Sequence, residues 1–221
     1  MFGGRAQVVS GLAERCAAVI QAWYPGEEGG HAVADILYGY VSPSAKLSVS
    51  YPNTEIYEPI CYNRSTKQDS RVQWPFGYGL SYTTFQYSDL KVSDAQTTDE
   101  SLTVSFTVKN TGSVTADEVA QIYLSPTTEG QNIRPIQLQG FAHVTLEPGQ
   151  SKTVQVKLYT EQMGYYSNDG KRQWNIAPGK FIIKVGASSV DIRLEETVTL
   201  GGKTVCKPIR DYYFSESIVL Q

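Results

Sequence analysis

The apolar positions of this chain change their period once, close to Phe85. Before it they come in short clusters broken by glycine and proline. Val8, Val9, Leu12, Ala17, Val19 and Ile20 run into Ala22-Trp23-Tyr24 and stop at Pro25-Gly26, which predicts a short helix and then a buried strand ending near Trp23. After Gly26-Glu27-Glu28-Gly29-Gly30, the residues Val33, Ile36, Leu37 and Tyr40 share one face at helical spacing, so His31 to Tyr40 reads as a helix. Ser42-Pro43-Ser44 ends it, and Lys46 to Tyr51 resumes an extended pattern with Leu47, Val49 and Tyr51 on one side. Residues 1–52 are therefore expected to form a partial α/β unit.

Residues 53–84 show no clear period and read as a long polar loop, with a charged run from Arg64 to Arg71, ending in an aromatic connector. From Phe85 the period is two: Leu102, Val104, Phe106 and Val108 alternate with Thr103, Ser105 and Thr107, and Val154, Val156 and Leu158 alternate with Thr153, Gln155 and Lys157. Further strands are expected at Val119 to Leu124, Leu138 to Leu146, Phe181 to Val185 and Val190 to Leu194. Turn signals separate them at Asn110-Thr111-Gly112, Pro148-Gly149, Asn168-Asp169-Gly170 and Pro178-Gly179. About seven short strands so spaced predict an immunoglobulin or fibronectin-III-like β-sandwich over residues 85–200, making the chain mainly β. The last stretch, 201–221, loses the alternation and is expected to be loosely held or completed by a partner surface, although Tyr212, Tyr213, Phe214 and Ile218 to Leu220 could dock.

Composition narrows the function. A net charge of -3 without a Lys/Arg run offers no footprint for nucleic acid or an anionic membrane face, and no stretch nears the 18 apolar residues of a membrane helix. Met1-Phe2-Gly3-Gly4-Arg5 does not open a signal peptide, so the sequence gives no cellular address. Cys16, Cys61 and Cys206 are read as unlinked thiols, and without a C-x-x-C or clustered histidines neither a metal site nor a cofactor is expected. Asn63-Arg64-Ser65 is an N-glycosylation sequon, a pattern short enough to recur by chance.

Three segments together resemble glycoside hydrolase family 3, the β-glucosidases, β-xylosidases and relatives: Ala22-Trp23-Tyr24-Pro25-Gly26-Glu27-Glu28-Gly29-Gly30 with Ala34 to Gly39; Pro43-Ser44-Ala45-Lys46-Leu47; and Trp74-Pro75-Phe76-Gly77-Tyr78-Gly79-Leu80-Ser81-Tyr82-Thr83-Thr84-Phe85. Their order and spacing match the end of that family's second domain. Val108-Lys109-Asn110-Thr111-Gly112, Gln121-Ile122-Tyr123-Leu124 and Leu138-Gln139-Gly140-Phe141 extend the likeness through the sandwich. One departure is Ser44-Ala45-Lys46-Leu47-Ser48 where the family usually has Ser-Gly-Lys/Arg-Leu-Pro; Ala45 would strain a turn that prefers positive φ. The resemblance implies a barrel bearing an Asp nucleophile and an α/β domain bearing the acid/base Glu, both upstream of these blocks. It implies carbohydrate as the intact enzyme's substrate, an upstream barrel domain or chain as partner, and a family often secreted or periplasmic.

Retaining hydrolysis needs two carboxyl groups about 5 Å apart, one ionised and one protonated. Glu27 and Glu28 are adjacent at a helix start, where the dipole favours ionised carboxylates, and read as first-turn caps. His31 and Asp35 read as a helix-surface pair and His143 as a surface or edge residue. Trp23, Trp74 and Trp174 could stack on a sugar ring, but for Trp23 and Trp74 packing is the expectation. Tyr78, Tyr82 and Phe85 are expected to wedge between the two units, with Gly77 and Gly79 permitting close backbone approach. No catalytic residue is assigned and the substrate-binding residues are open. The expected function is the non-catalytic, structural carboxy-terminal part of a β-glycosidase. The alternatives are a stand-alone fibronectin-III-like binding module and a subunit completing a split glycosidase.

Overall fold

The structure, a computed structural model, describes residues 6–55, 60–64, 69–127, 134–167 and 169–220. Parts of the sequon, of the Arg64 to Arg71 run and of the Asn168 turn lie outside these residues, as does the Met1 to Arg5 segment. The described chain opens with a single helical turn, α1 (Ser10–Ala13), and the helix α2 (Gly29–Leu37). Next come β1 (Tyr51–Pro52), a 3-10 turn at Tyr62–Arg64 and β2 (Val72–Trp74). The β-rich part holds β3 (Phe85–Val92), β4 (Ala95–Gln96), β5 (Ser101–Asn110), β6 (Ala116–Pro126), β7 (Gln137–Leu146) and β8 (Ser151–Tyr159). A 3-10 turn at Thr160–Met163 leads to β9 (Tyr165–Tyr166), β10 (Trp174–Ile176), β11 (Gly179–Gly186), β12 (Ile192–Gly201), β13 (Val205–Lys207) and β14 (Glu216–Leu220).

Two sheets face each other, β4-β12-β11-β6-β7 and β14-β8-β5-β3, and every pairing in them is antiparallel except β4 with β12. The core follows from the period-two pattern. Leu102, Val104, Phe106 and Val108 of β5 and Val154, Val156 and Leu158 of β8 point inward and are buried, opposite Ala120, Ile122, Leu124, Ala142, Val144, Ile183 and Val185 from the other sheet. A small sheet, β13-β10-β9, sits beside them. The chain is thus mainly β, a fibronectin-III-like sandwich preceded by a partial α/β unit.

The amino-terminal unit is thinner than its apolar clusters suggest. No strand ends at Trp23: Gln21 makes an isolated bridge, and Trp23 takes φ 49°, turning the chain toward Pro25 instead of extending it. Leu47 is held by the connector, accepting from Gly77 N at 2.7 Å and donating to Tyr78 O at 2.8 Å, but a ladder begins only at Tyr51, which faces Trp74 across β1 and β2. The tail also departs from expectation. β14 adds to β8 in regular register from Glu216 opposite Lys157 to Leu220 opposite Thr153, because Val219 keeps inward parity and packs on the core.

Candidate functional site: the interdomain seam

The seam is built on β6. A strand of a one-sided sheet alternates buried and wet positions, yet Gln121, Tyr123 and Ser125 are as buried as Ala120, Ile122 and Leu124, because the connector covers the outer face. Gln121 Nε2 donates to Gly77 O at 3.0 Å and to Ala187 O at 2.7 Å, and the Tyr123 hydroxyl donates to Gln121 Oε1. Tyr62 stacks on Phe76 with centroids 4.1 Å apart, meets the Tyr123 ring edge-on, and accepts from Leu138 N. Burial pushes the hydroxyls of Tyr62 and Tyr123 above the ordinary tyrosine range.

The connector approaches this closely because of its glycines. Gly77 has φ +81°, and a Cβ there would lie 2.1 Å from Gln121 Oε1; a Cβ on Gly79 would lie 2.6 Å from Ala45 O. Ala45 itself is not among the positive-φ residues described, so the departure from the family's Gly strains nothing. Tyr82 does not wedge between the units. Its hydroxyl donates to Ile36 O at the end of α2 (2.6 Å) and its amide donates to Ser42 Oγ (3.0 Å), so it ties the helix end to the connector, while Tyr78 is half-buried and Phe85 packs on the core.

Two polar knots lock the units together. Lys46 Nζ donates to Glu118 Oε2 at 3.1 Å, and the Tyr87 hydroxyl from the facing sheet donates to Glu118 Oε1 at 2.7 Å, with the Lys46 and Glu118 side chains only 11% and 3% exposed. Burial, with the Glu118 charge beside it, pushes the Tyr87 hydroxyl well above the usual range. In the second knot the fully buried Asn110 accepts from Thr83 Oγ1 at 2.6 Å and donates from Nδ2 to Val114 O and Leu146 O. Its side chain thereby joins the connector, the β5–β6 turn and the end of β7.

The residues singled out from sequence fall elsewhere. Glu27 and Glu28 are exposed, and neither caps: α2 has no side-chain cap bond, because the Glu28 carboxylate reaches His31 Nδ1 at 2.6 Å. His31 therefore pairs with Glu28, not with Asp35. His143 is exposed and lies 3.4 Å from Asp117 on the neighbouring strand. Trp23 and Trp74 flank the buried Tyr51 ring at 6.4 and 5.8 Å, a packing arrangement. Trp174 donates from Nε1 to Glu161 O, and Arg210 covers its ring at 5.0 Å. The three cysteines are free and exposed, no group of His, Cys, Asp and Glu among the described residues could hold a metal, and no described helix is long and apolar enough to cross a membrane.

Sequence reasoning missed a lock on the tail. Glu161, 3% exposed, accepts from Lys207 Nζ and from the amides of Asp211 (2.6 Å) and Tyr212 (3.1 Å); Tyr212 stacks on Tyr159 at 3.8 Å, and the Tyr159 hydroxyl donates to Glu216. The hydrogen bond to Glu161 raises the Lys207 ammonium above its ordinary value. The missed contacts span wide sequence gaps, 46 residues for Lys207 with Glu161 and 72 for Lys46 with Glu118. The local signal is the run Ile122-Tyr123-Leu124, three successive apolar residues where a half-wet strand alternates.

Comparison with known proteins agrees with this geometry. Residues 1–82 match the glycosyl hydrolase family 3 C-terminal domain and residues 118–189 the fibronectin type III-like domain. A β-glucosidase of Kluyveromyces marxianus is 40% identical over 200 residues, covering 81% of this chain and 23% of the relative; a β-xylosidase of Formosa agariphila is 35% identical, covering 86% and 28%. A solved β-glucosidase of Listeria innocua superimposes with TM-score 0.77 at 31% identity, over 91% of this chain and 30% of that one. The chain spans about a quarter of the length of the curated relatives it matches. Both blocks of the match place it in one family: this chain belongs to glycoside hydrolase family 3, corresponding to its C-terminal domain and fibronectin type III-like domain.

Proposed function

We propose that this chain is the structural, non-catalytic carboxy-terminal part of a retaining β-glycosidase that cleaves terminal β-linked sugars. In this reading residues 1–52 belong to the α/β domain, 53–84 connect, 85–200 form the sandwich and 201–221 fasten onto it. The nucleophile, the acid/base and the sugar site belong to an upstream barrel and the rest of the α/β domain. The curated relatives with β-glucosidase and β-xylosidase names support the reaction class.

One observation carries the reading: the buried carboxylates serve as structural ties. Glu118 is bonded to Lys46 and Tyr87, and Glu161 to Lys207 and two backbone amides, so the oxygens of both are engaged by donors within the chain. A general acid needs an apolar, donor-free setting that keeps its proton near neutral pH, and neither residue has one. Glu27 and Glu28 are exposed, and Glu28 is paired with His31. The test is hydrolysis of chromogenic β-glucoside and β-xyloside by the purified 221-residue chain, with a full-length family member as positive control. No turnover by a chain whose sandwich is folded is the expected result. Turnover abolished by Glu27→Gln or Glu28→Gln would overturn it.

A further inference from the structure

We propose that residues 208–220 form a latched strap and that a β-bulge at Gln139 passes the state of this strap to the interdomain seam. Opening the strap loosens the connector at Tyr62 while the sandwich core stays closed. The device is independent of the reaction proposed above, since it concerns how two distant parts of one chain hold each other.

The strap is fastened at few points. Every residue from 201 to 220 is exposed or half-buried, and β14 reaches the core through Val219. The remaining hold is concentrated on the turn Thr160–Met163 and the residue before it. Asp211 N and Tyr212 N donate to Glu161 at 2.6 and 3.1 Å, the Tyr212 ring lies 3.8 Å from that of Tyr159, and the Tyr159 hydroxyl donates to Glu216. An exposed segment tied to one buried hub opens as a unit, at a lower free energy than the sandwich beneath it.

The hub has a second side. All four residues of the turn are buried, and Glu161 is followed by Gln162. Gln162 Nε2 donates to Gln139 O at 2.9 Å and to Gln139 Oε1 at 3.1 Å, Gln139 Nε2 donates back to Gln162 O at 3.2 Å, and Tyr159 N donates to Gln162 Oε1 at 2.9 Å. Gln139 is free for this because it is the extra residue of a bulge: Ile122 faces Gly140 and Tyr123 faces Leu138, which leaves Gln139 without a partner in β6. On one side of it Leu138 N donates to the Tyr62 hydroxyl at 2.9 Å, and Tyr62 stacks on Phe76 of the connector. On the other side Gly140 lies against the strap, since a Cβ there would collide with Ser215 Oγ. Three successive residues of β7 thus touch the connector, the hub and the strap.

The energetics give the direction. With the strap away, Glu161 keeps Lys207 but loses two backbone donors, and a carboxylate only 3% exposed must turn toward water to replace them. Gln162 is the next residue of the same short turn, so its bonds to Gln139 shift with it, and the bulge no longer holds Leu138 against Tyr62. The link is a contiguous set of hydrogen bonds with a two-state strap at one end. Such coupling is reciprocal: loosening Tyr62 weakens the strap by the same factor.

Residue-resolved hydrogen exchange on the 221-residue chain, without substrate, tests the device. Tyr212→Ala removes the ring stack at a position 37% exposed, away from the core. It is expected to speed exchange of the Leu138 amide roughly five-fold or more, with the Ile183 amide of β11 unchanged. Tyr62→Phe keeps the ring, removes the acceptor, and is expected to speed the Asp211 and Tyr212 amides by a similar factor. With Gln139→Ala in the background, the Leu138 rate no longer depends on residue 212. The proposal is overturned if Tyr212→Ala speeds the strap amides alone, if all amides speed up together, or if the transfer survives Gln139→Ala.

Discussion

The amino-terminal unit is richer in apolar residues than the sandwich, yet it buries far fewer of them. Every buried residue of the main core cluster comes from Tyr87 to Leu200, while before Phe85 the buried apolar side chains among the described residues are Val9, Tyr51 and Val72, with Pro52 and Pro75. In the sandwich each strand meets two neighbours or a facing sheet, so alternation converts directly into burial. In the amino-terminal unit the apolar side chains find few partners inside the chain, and its order is borrowed from the sandwich, directly through Lys46 with Glu118 and by way of the connector through Gln121 and Asn110. Autonomy of a unit is therefore set by how many of its surfaces the chain itself covers, more than by its hydrophobic content.

The largest expected effect separates the two units outright. Phe106→Ala, at a fully buried core position, lowers stability by about 3–5 kcal/mol in denaturant unfolding, whereas Leu37→Ala, on the exposed end of α2, changes it by less than about 0.5 kcal/mol. Equal effects would erase the contrast. Next is the tie between them. Lys46→Ala leaves Glu118 buried without its cation and is expected to destabilise by about 3 kcal/mol, with amide exchange in residues 29–52 accelerating before that of β5 and β8. Exchange that rises uniformly would show that the unit does not open separately.

Gly77→Ala comes third, at about 1–3 kcal/mol, from left-handed backbone strain and the collision with Gln121. The smallest effect is read against pH. Burial raises the hydroxyls of Tyr87 and Tyr123 above the unfolded value near 10, so the folded state keeps protons that the unfolded chain releases. Stability is then fully present below pH 10 and falls as pH rises toward the folded values. Tyr123→Phe should flatten the decline of melting temperature between pH 9 and 11, and an unchanged slope would remove Tyr123 from the account.

Legibility in the sequence followed the same division. Strands β5 and β8 could be read because Leu102 to Val108 and Val154 to Leu158 repeat every two residues and their wet faces stay wet. The boundaries of β6 and the tail strand β14 could not, since Gln121 and Tyr123 are covered from outside, and Ile218 and Leu220 are apolar yet exposed. Trp23 looked like the end of a strand because its neighbours are apolar, but its backbone turns left-handed where no ladder awaits it. The family blocks located the connector glycines, and Gly77 and Gly79 do allow the close approach they suggested. The Lys46, Glu118 and Tyr87 knot was invisible because its members share no local pattern and meet only after folding.

The contact of Gly77 with Gln121 carries a consequence for heredity. Position 77 has no room for a methyl group as long as position 121 holds a long amide, and that amide loses one of its two carbonyl acceptors, keeping only Ala187 O, if the 77 backbone moves away. The two sites, 44 residues apart, form one unit of inheritance: a lineage that loses the glycine gains by shortening the glutamine, and Gly77→Ala with Gln121→Ala is expected to be less harmful than the sum of the separate changes. Across descendants, substitutions at one position should then arrive in the company of substitutions at the other.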